Sequence, residues 1–217
     1  GECLVEYKYD GVRVIAIVKN NKATLYSRNG KIFNNFPHIE EALSKSEYNN
    51  LVLDGEVMSD DFQALMKQVY RKSGAETDDA YLALFDILPL KEFNNGKSKL
   101  NTLDRKKQLD QLSQTFESCI KLVDYAILNF DDEKDNQKFS KMNKEALDKG
   151  YEGLMIKPSE NYYESKRSHA WLKIKPFIEV TLKIVSIQEG TGKHSGKLGA
   201  FQVEGTDDGK FFSLSVG

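Results

Sequence analysis

Cysteine is scarce in this chain of 217 residues, which contains only Cys3 and Cys119. The two lie far apart, with no CxxC pattern and no histidine at ligand spacing, and this argues against a zinc site. They also provide no disulfide framework. We therefore expect a reducing compartment, namely the cytoplasm, with use at the nucleoid if the source is bacterial or viral.

Long apolar runs and an excess of basic residues are missing as well. No run of 18 apolar residues and no signal peptide is present, so we expect neither a membrane span nor secretion. The formal net charge is -2, so a nucleic-acid partner would have to be held by local basic clusters. The chain starts at Gly1 without a methionine and stops inside a strand-like segment, from which we expect a fragment of a longer protein.

Strand-like and helix-like segments alternate along the chain, which indicates an α+β fold. Residues 3–9, 12–19 and "ATLYS" are predicted to form an opening antiparallel meander. The predicted helices are "FPHIEEALSK", "DDFQALMKQVYRKSG" from Asp60 or Asp61 to Gly74, "NTLDRKKQLDQLSQTF" from Asn101 or Thr102, and "DDEKDNQKFSKMNKEALDKG" ending at Gly150. The further predicted strands are "LVLDGEVM", "AYLALFDILPL", "IKLVDYAIL", "EGLMIKP", "AWLKIKP", "VTLKIVSIQEG", "GAFQVEGT" and "KFFSLSV".

The character of the sequence changes near residue 178. After Pro176 it consists of strands and glycine-rich turns, and "QEGTGKHSGKLGAFQVEG" is typical of the first hairpin of a small barrel. An OB-type barrel needs five strands, more than this segment can supply. We therefore predict one domain over 1–177 and a partial OB-fold domain over 178–217.

Lys8 is unexpected in the middle of a strand-like segment. One interpretation is that Lys8 and Arg13 are exposed strand residues and that Asp10-Gly11 is a hairpin turn. The other is that Lys8 is a nucleophile. A lysine amine attacks phosphorus once it is deprotonated, and neighbouring cations such as Lys173, Lys175 and Arg13, or a bound Mg²⁺, would lower its pKa from about 10.4.

Six short motifs support the second interpretation. In chain order they are "KYDGVR" (8–13), "SRNGK" (27–31), "LDGEV" (53–57), "LFDIL" (84–88), "EGLMIK" (152–157) and "WLKIK" (171–175). In this order they closely resemble the collinear motifs of the covalent nucleotidyltransferase superfamily, and within it the ATP-dependent DNA ligases. The stretch "KGYEGLMIKPSENYYESKRSHAWLKIKP" is similar to the ligase stretch that joins the last two motifs, and the resemblance covers nearly the whole chain.

The resemblance implies a fold and a reaction. The fold is a nucleotidyltransferase (adenylation) domain of antiparallel sheets flanked by helices, followed by a truncated OB-type barrel. The reaction uses ATP and Mg²⁺ to seal nicks in double-stranded DNA: a lysine takes AMP, AMP passes to the 5′-phosphate of the nick, and the 3′-hydroxyl displaces AMP. We expect a monomer. The family's last basic motif has no counterpart here, and we expect nucleotide binding to survive without it.

The resemblance also assigns roles near the base of the nucleotide. Lys8 would be the adenylated lysine. Glu6, two positions earlier on the same strand face, would accept a hydrogen bond from the adenine amino group. Phe85 would stack on the ring, with Met155 or Ile156 closing the other side, although apolar strand residues are more often simple core residues.

The resemblance assigns further roles at the ribose, the metal and the α-phosphate. Glu56 would hold the ribose and Arg13 would contact the nucleotide. Glu152 would assist the metal, while Lys173 and Lys175 would grip the α-phosphate.

On the DNA side, Arg28 would reach the 5′-phosphate of the nick. Lys31 would flank the same groove, together with Lys166, Lys193 and Lys197. The alternative for these lysines is ordinary solvated surface.

Other functions remain open at this stage. An mRNA capping enzyme shares the lysine motif but fits "EGLMIK" and "SKRSHAWLKIK" less well, whereas an RNA ligase shares the adenylation chemistry and is the nearer rival. A non-catalytic nucleic-acid-binding module would leave the ordered motifs unexplained. An NAD-dependent ligase is disfavoured because its zinc cysteines and its extra amino-terminal domain are not seen.

Overall fold

A computed structural model describes residues 1–59, 65–66, 69, 79–166, 169–175, 180–207 and 209–217. The chain divides into two compact units, residues 1–176 and 177–217. The predicted helix over 60–74 lies almost entirely outside the described residues, as does the predicted domain boundary.

A six-stranded sheet is the largest element of the first unit. Its strands are β2 (Val12–Lys19), β3 (Lys22–Ser27), β4 (Ile32–Phe33), β5 (Leu51–Met58), β6 (Tyr81–Pro89) and β8 (Ile120–Leu122), in the order β4-β3-β2-β5-β6-β8. The pairs are antiparallel except for β6 with β8. Asn20 and Asn21, both with positive φ, join β2 to β3 in a two-residue hairpin turn.

A second sheet has four strands. They are β1 (Glu2–Lys8), β9 (Tyr125–Asn129), β10 (Gly153–Pro158) and β12 (Leu172–Ile174), in the order β12-β10-β1-β9. All its pairs are antiparallel. A small antiparallel pair, β7 (Lys97–Asn101) with β11 (Tyr162–Glu164), completes the strands of this unit that the structure describes.

Four helices of the first unit are described: α1 (Pro37–Leu43), α2 (Leu90–Asn94), α3 (Thr102–Leu112) and α4 (Glu133–Asp148). Short 3₁₀ turns occur at Ser46–Tyr48 and Ser113–Thr115. The side chain of Asn101 caps α3 by accepting from the Asp104 N–H at 2.9 Å, as its position in the sequence predicted. Asp132 caps α4 in the same way.

Two hydrophobic clusters hold these elements together. One lies on the six-stranded sheet and includes α1 residues such as Ile39 and Leu43. The other joins β1 to α4 through residues such as Val5, Tyr7 and Met142. Both faces of β1 are therefore occupied, one by this second cluster and the other by the site described below.

The structure corrects two expectations about topology. Residues 3–9 and 12–19 do not form neighbouring strands of a meander, because β1 and β2 belong to different sheets. "IKLVDYAIL" is not one strand but two, β8 and β9, which also belong to different sheets. In both places the chain crosses between sheets, a step that a local apolar pattern does not reveal.

The second unit contains β13 (Lys183–Glu189), β14 (Leu198–Asp207) and β15 (Lys210–Val216), with a 3₁₀ turn at Gly192–His194. They form an antiparallel sheet in the order β13-β14-β15, and all three strands were predicted. No closed barrel is formed by the described residues of this unit. Within the described parts of the whole chain, no helix is long and apolar enough to cross a membrane.

Candidate active site

Strand β1 presents its alternate side chains to two different environments. Val5 and Tyr7 pack into the hydrophobic cluster with α4. Glu6 and Lys8 face a cavity of about 350 Å³, which falls in the size range of small-molecule sites. The strand is therefore buried on both sides, and the lysine lies on the face that lines the cavity.

Strand register brings several predicted residues onto the same face of the sheet. Glu6 pairs with Met155 of β10, and Met155 pairs with Lys173 of β12. Because side chains alternate along a strand, Lys157 shares the face of Met155. These three strands thus form one wall of the cavity.

Nine of the twelve predicted site residues line this cavity: Glu6, Lys8, Arg13, Arg28, Glu56, Phe85, Glu152, Met155 and Lys173. Three do not. Ile156 packs against the hydrophobic cluster on the other side of the sheet, Lys175 lies outside the cavity lining but contacts Glu152, and Lys31 is exposed on the loop after β3.

Glu152 connects the lysines of the site. One of its carboxylate oxygens, Oε2, forms an ion pair with Lys8 Nζ, and the other, Oε1, accepts from Lys175 Nζ at 2.7 Å. The Glu152 N–H also donates to the Lys8 carbonyl at 2.8 Å. A single carboxylate therefore contacts two ammonium groups, one at the end of β1 and one directly after β12.

The environment of Lys8 shifts its protonation equilibrium toward the neutral amine, compared with a free lysine. Burial lowers the pKa of the Lys8 ammonium, and the positive charges of Lys173 and Lys175 lower it further, while Glu56 and Asp10 act in the opposite direction. The direction agrees with the sequence prediction. The largest cause is burial, whereas the sequence argument relied on neighbouring cations.

Two glycines of the motifs allow close approach between segments. A Cβ on Gly11 would lie 2.4 Å from the Val57 carbonyl oxygen, and one on Gly153 would lie 2.0 Å from that of Ile174. Gly153 also has a φ of +133°, which favours glycine. Gly11 thus belongs to a loop packed against β5, and the alternative of a β1–β2 hairpin at Asp10-Gly11 is wrong.

Glu56 and Arg13 line the cavity from β5 and β2, where they are paired across the six-stranded sheet. Glu56 Oε1 accepts from the Gly11 N–H at 3.2 Å. Burial raises the pKa of the Glu56 carboxyl, an effect that the charge of Lys8 partly offsets. Arg13 makes a two-point contact with Asp54, from Nε to Oδ1 at 3.0 Å and from Nη2 to Oδ2 at 2.6 Å. Burial acts to lower the pKa of Arg13, but the Asp54 carboxylate outweighs it and raises that pKa.

Aromatic residues form the apolar part of the cavity. Phe85 and Trp171 meet edge to face, with ring centroids 5.9 Å apart. The Arg13 guanidinium lies about equally far from both rings, at 5.9 and 6.0 Å from their centroids. Lys157 Nζ lies 4.0 Å from the Trp171 centroid, a cation–π contact.

Glu6 is buried together with two lysines. Its Oε1 lies 2.5 Å from Lys106 Nζ and its Oε2 lies 2.7 Å from Lys157 Nζ. Burial by itself would raise the pKa of the Glu6 carboxyl, but the two ammonium groups outweigh that effect and hold the pKa below its usual value. Glu6 therefore remains a carboxylate, a group that only accepts hydrogen bonds.

A second cavity of about 410 Å³ adjoins the first. Arg13 and Arg28 line both cavities. The second cavity is also lined by Tyr163, Phe93 and Lys166. Arg28 is exposed and stands where the two cavities meet.

The family comparison gives a decisive match. Residues 1–175 match the family model described as "ATP dependent DNA ligase domain". The chain belongs to the ATP-dependent DNA ligase domain family. The resemblance inferred from the motifs is thereby confirmed.

Individual ligases show the same relationship. The chain is 31% identical over 235 residues to "DNA ligase 2" of Methanosarcina acetivorans and 33% identical over 227 residues to "DNA ligase" of Archaeoglobus fulgidus. Each alignment covers 98% of this chain but only 39% of the relative. The chain thus spans about two fifths of the length of these curated ligases.

Solved ligase structures share the fold. A structure named "Pmar-Lig_PreS3" has a TM-score of 0.85 and 47% identity, and the match covers 99% of this chain and 52% of that one. The ATP complex of the DNA ligase from bacteriophage T7 has a TM-score of 0.60 at 24% identity, covering 99% of this chain and 74% of that one. The mixed sheets and helices seen here are therefore those of the nucleotidyltransferase domain of ATP-dependent DNA ligases.

Sequence reasoning missed four residues that line this cavity or contact its lining residues: Asp54, Lys106, Lys157 and Trp171. Three of them lie inside quoted motifs, and Asp54, Lys157 and Trp171 could have been proposed from that position. Lys106 lies in a helix whose sequence is typical of an exposed amphipathic helix. Nothing in its local pattern indicates that it is buried.

Proposed function

We propose that this chain supplies the adenylation domain of an enzyme that seals nicks in double-stranded DNA with ATP. The observation that carries the proposal is the placement of Lys8, half-buried, with a lowered pKa and facing a nucleotide-sized cavity, in a chain of this family. ATP is named in the family description. DNA enters the proposal through the curated relatives, whose names are "DNA ligase 2" and "DNA ligase".

In the first step Lys8 is the nucleophile. Its neutral Nζ attacks the α-phosphorus of ATP, a P–N bond forms while the amine releases one proton to solvent, the bond from the α-phosphorus to the bridging oxygen breaks, and pyrophosphate leaves. Glu152, already paired with Lys8, is placed to orient the amine. Lys173 and Lys175 would offset the negative charge on the phosphoryl oxygens.

The base and the sugar would occupy the first cavity. Glu6, kept as a carboxylate, would accept from the adenine amino group, and Phe85 and Met155 would contact the ring from the cavity walls. Trp171 is an additional aromatic surface there. Glu56 would hold the ribose hydroxyls, and Arg13, oriented by Asp54, would contact the nucleotide.

Mg²⁺ would bind through the nucleotide more than through the protein. Among the described residues, no three acidic, histidine or cysteine side chains are grouped closely enough to hold a metal. Mg²⁺ commonly takes one or two carboxylates and completes its shell with phosphate oxygens and water. Glu152 fits the role of that carboxylate, and the ion would neutralise phosphate charge.

The later steps would use the second cavity. A 5′-phosphate oxygen of the nick attacks the phosphorus of the Lys8-bound AMP, a P–O bond forms, the P–N bond breaks, and the lysine amine takes up a proton from solvent. The 3′-hydroxyl then attacks the activated 5′-phosphorus and loses its proton to solvent, a phosphodiester bond forms, the bond between the 5′-phosphate and AMP breaks, and AMP leaves. Arg28, which lines both cavities, would bind the 5′-phosphate, and Lys31 and Lys166 would flank it on the DNA side.

The second unit fits the start of an OB-type domain. Its three antiparallel strands would be three of the five strands of such a barrel. We also propose that the enzyme acts as a monomer in the cytoplasm, as expected from the sequence.

Denaturing electrophoresis tests the proposal. The full-length protein is incubated with Mg²⁺ and ATP or GTP labelled in the α-phosphate, and then with nicked DNA or nicked RNA. We expect a labelled protein with ATP and sealing of the DNA nick. No adduct with any nucleotide would contradict the proposal, and sealing of the RNA nick alone would make the protein an RNA ligase.

A further inference from the structure

Lys106 occupies a place that the nucleotide roles above do not explain. It lies on α3 and is 3% exposed. Glu6, Phe85 and Lys157 line the nucleotide cavity, whereas Lys106 is not among the lining residues and stands behind them. It can therefore act on a bound nucleotide only through these neighbours.

A single ammonium group contacts two of the residues assigned to the base. Lys106 Nζ lies 2.5 Å from Glu6 Oε1 and donates to the Phe85 carbonyl at 2.9 Å. Glu6 would accept from the adenine amino group and Phe85 would contact the ring. Lys106 thus joins the polar and the apolar parts of the proposed base pocket from behind.

The buried charges around Glu6 indicate that Lys106 is not needed to neutralise a buried anion. Among the described residues, the buried charged side chains are Glu6, Asp54, Asp86, Arg105, Lys106 and Lys157. Asp54 is paired with the half-buried Arg13, which leaves two anions and three cations. Without Lys106 the remaining four would form two matched pairs, Glu6 with Lys157 and Asp86 with Arg105. Because a buried cation in excess is costly, its presence needs another reason.

We propose that Lys106 is a positioning residue for adenine selection, which holds the Glu6 carboxylate and the Phe85 backbone where the 6-amino group of adenine is read. This inference rests on the proposed function. With Lys106 on one oxygen and Lys157 on the other, the plane of the carboxylate is set by two contacts. With Lys157 alone, the carboxylate could turn about that single contact.

Binding of two matched nucleotides tests the inference. ATP and purine riboside triphosphate differ only in the 6-amino group. Their dissociation constants are measured by calorimetry with Mg²⁺ on protein that carries Lys8→Ala, so that no adduct forms. Lys106→Met is compared with Lys107→Met, its neighbour on the same helix, whose side chain is 69% exposed.

The expected result is a loss specific to the amino group. Lys106→Met should weaken the binding of ATP about tenfold, which is the equivalent of one hydrogen bond to a charged group. It should weaken the binding of the analogue much less. Lys107→Met should leave both constants unchanged. Thermal unfolding checks that Lys106→Met is folded, and Lys106→Gln provides the same comparison if it is not.

Two outcomes would overturn the inference. Equal weakening of ATP binding and analogue binding would show that Lys106 only maintains the shape of the pocket. Unchanged binding of both nucleotides would show that the position of the Glu6 carboxylate does not depend on Lys106. In both cases the unmutated Lys106 protein would still prefer ATP, and the proposed function would stand. If that protein bound neither nucleotide, the proposed function would fail first.

Discussion

The buried ion pair between Arg105 and Asp86 allows a quantitative test of how the site is supported. Arg105 Nε and Nη2 donate to the two carboxylate oxygens of Asp86 at 2.7 and 3.0 Å. Arg105 Nη1 also donates to the Leu100 carbonyl at 2.8 Å. The side chains of Arg105 and Asp86 are 1% and 4% exposed. Asp86 directly follows Phe85, so this pair anchors the strand segment that carries the aromatic residue of the cavity.

Replacing Arg105 by leucine should be severely destabilising. The change leaves the Asp86 carboxylate buried without its partner, which typically costs about 3–5 kcal/mol. Lys106 and Lys157 also favour the charged form of Asp86, so we expect the lower end of that range. Since natural domains are stable by about 5–15 kcal/mol, the loss is a large fraction of the total.

The loss of unfolding free energy caused by Arg105→Leu should also depend on pH and should be smaller in acid. Burial acts to raise the pKa of Asp86, but the Arg105 guanidinium outweighs it and lowers the pKa in the folded protein. The stability from this pair is therefore present above the unfolded pKa of about 3.9 and is lost as the pH falls through the lower folded value. Without Arg105 the buried carboxyl would take up a proton more easily, so the penalty of Arg105→Leu should be smaller at pH 4.5 than at pH 7.

Urea unfolding at the two pH values measures these effects. The matched control is Lys107→Leu, an exposed change on the same helix that should cost less than about 0.5 kcal/mol. The double variant Arg105→Leu/Asp86→Leu should recover part of the loss, because no buried charge is left alone. A cost of Arg105→Leu below about 1 kcal/mol, or the same cost at both pH values, would refute the reasoning.

Three further predictions concern the reaction in the full-length protein. Lys8→Ala should abolish the covalent nucleotide adduct while the thermal unfolding profile shows a folded protein, and an adduct on this variant would exclude Lys8 as the nucleophile. ATP should label the protein about 5- to 150-fold better than GTP, because the keto oxygen of guanine would face the Glu6 carboxylate acceptor to acceptor, at about 1–3 kcal/mol; equal labelling would contradict the adenine pocket. Arg28→Ala should impair transfer of AMP to nicked DNA far more than labelling of Lys8, and an equal loss of both steps would place Arg28 in the nucleotide pocket instead.

Local pattern predicted most of the elements but not how they pair. The cap at Asn101 and the three strands of the second unit follow from side chains within a few residues of each other, and such signals can be read directly. The crossing of the chain from β1 to β2, and from β8 to β9, depends on which distant strand completes each sheet. A run of alternating residues looks the same whether the next strand joins the same sheet or a different one. For this reason the predicted meander and the single strand "IKLVDYAIL" were wrong.

The sequence by itself determined the family and nine of the residues that line the cavity, because the order and identity of short motifs can be read without any knowledge of their contacts. Only the tertiary structure decided the electrostatics. The lowered pKa of Lys8 depends first on its burial, and the ionisation of Glu6 depends on Lys106, which is 100 positions away in the chain. Burial and the approach of charges from separate elements are properties of the folded chain, because Coulomb interactions depend on distance in space and on exclusion of water.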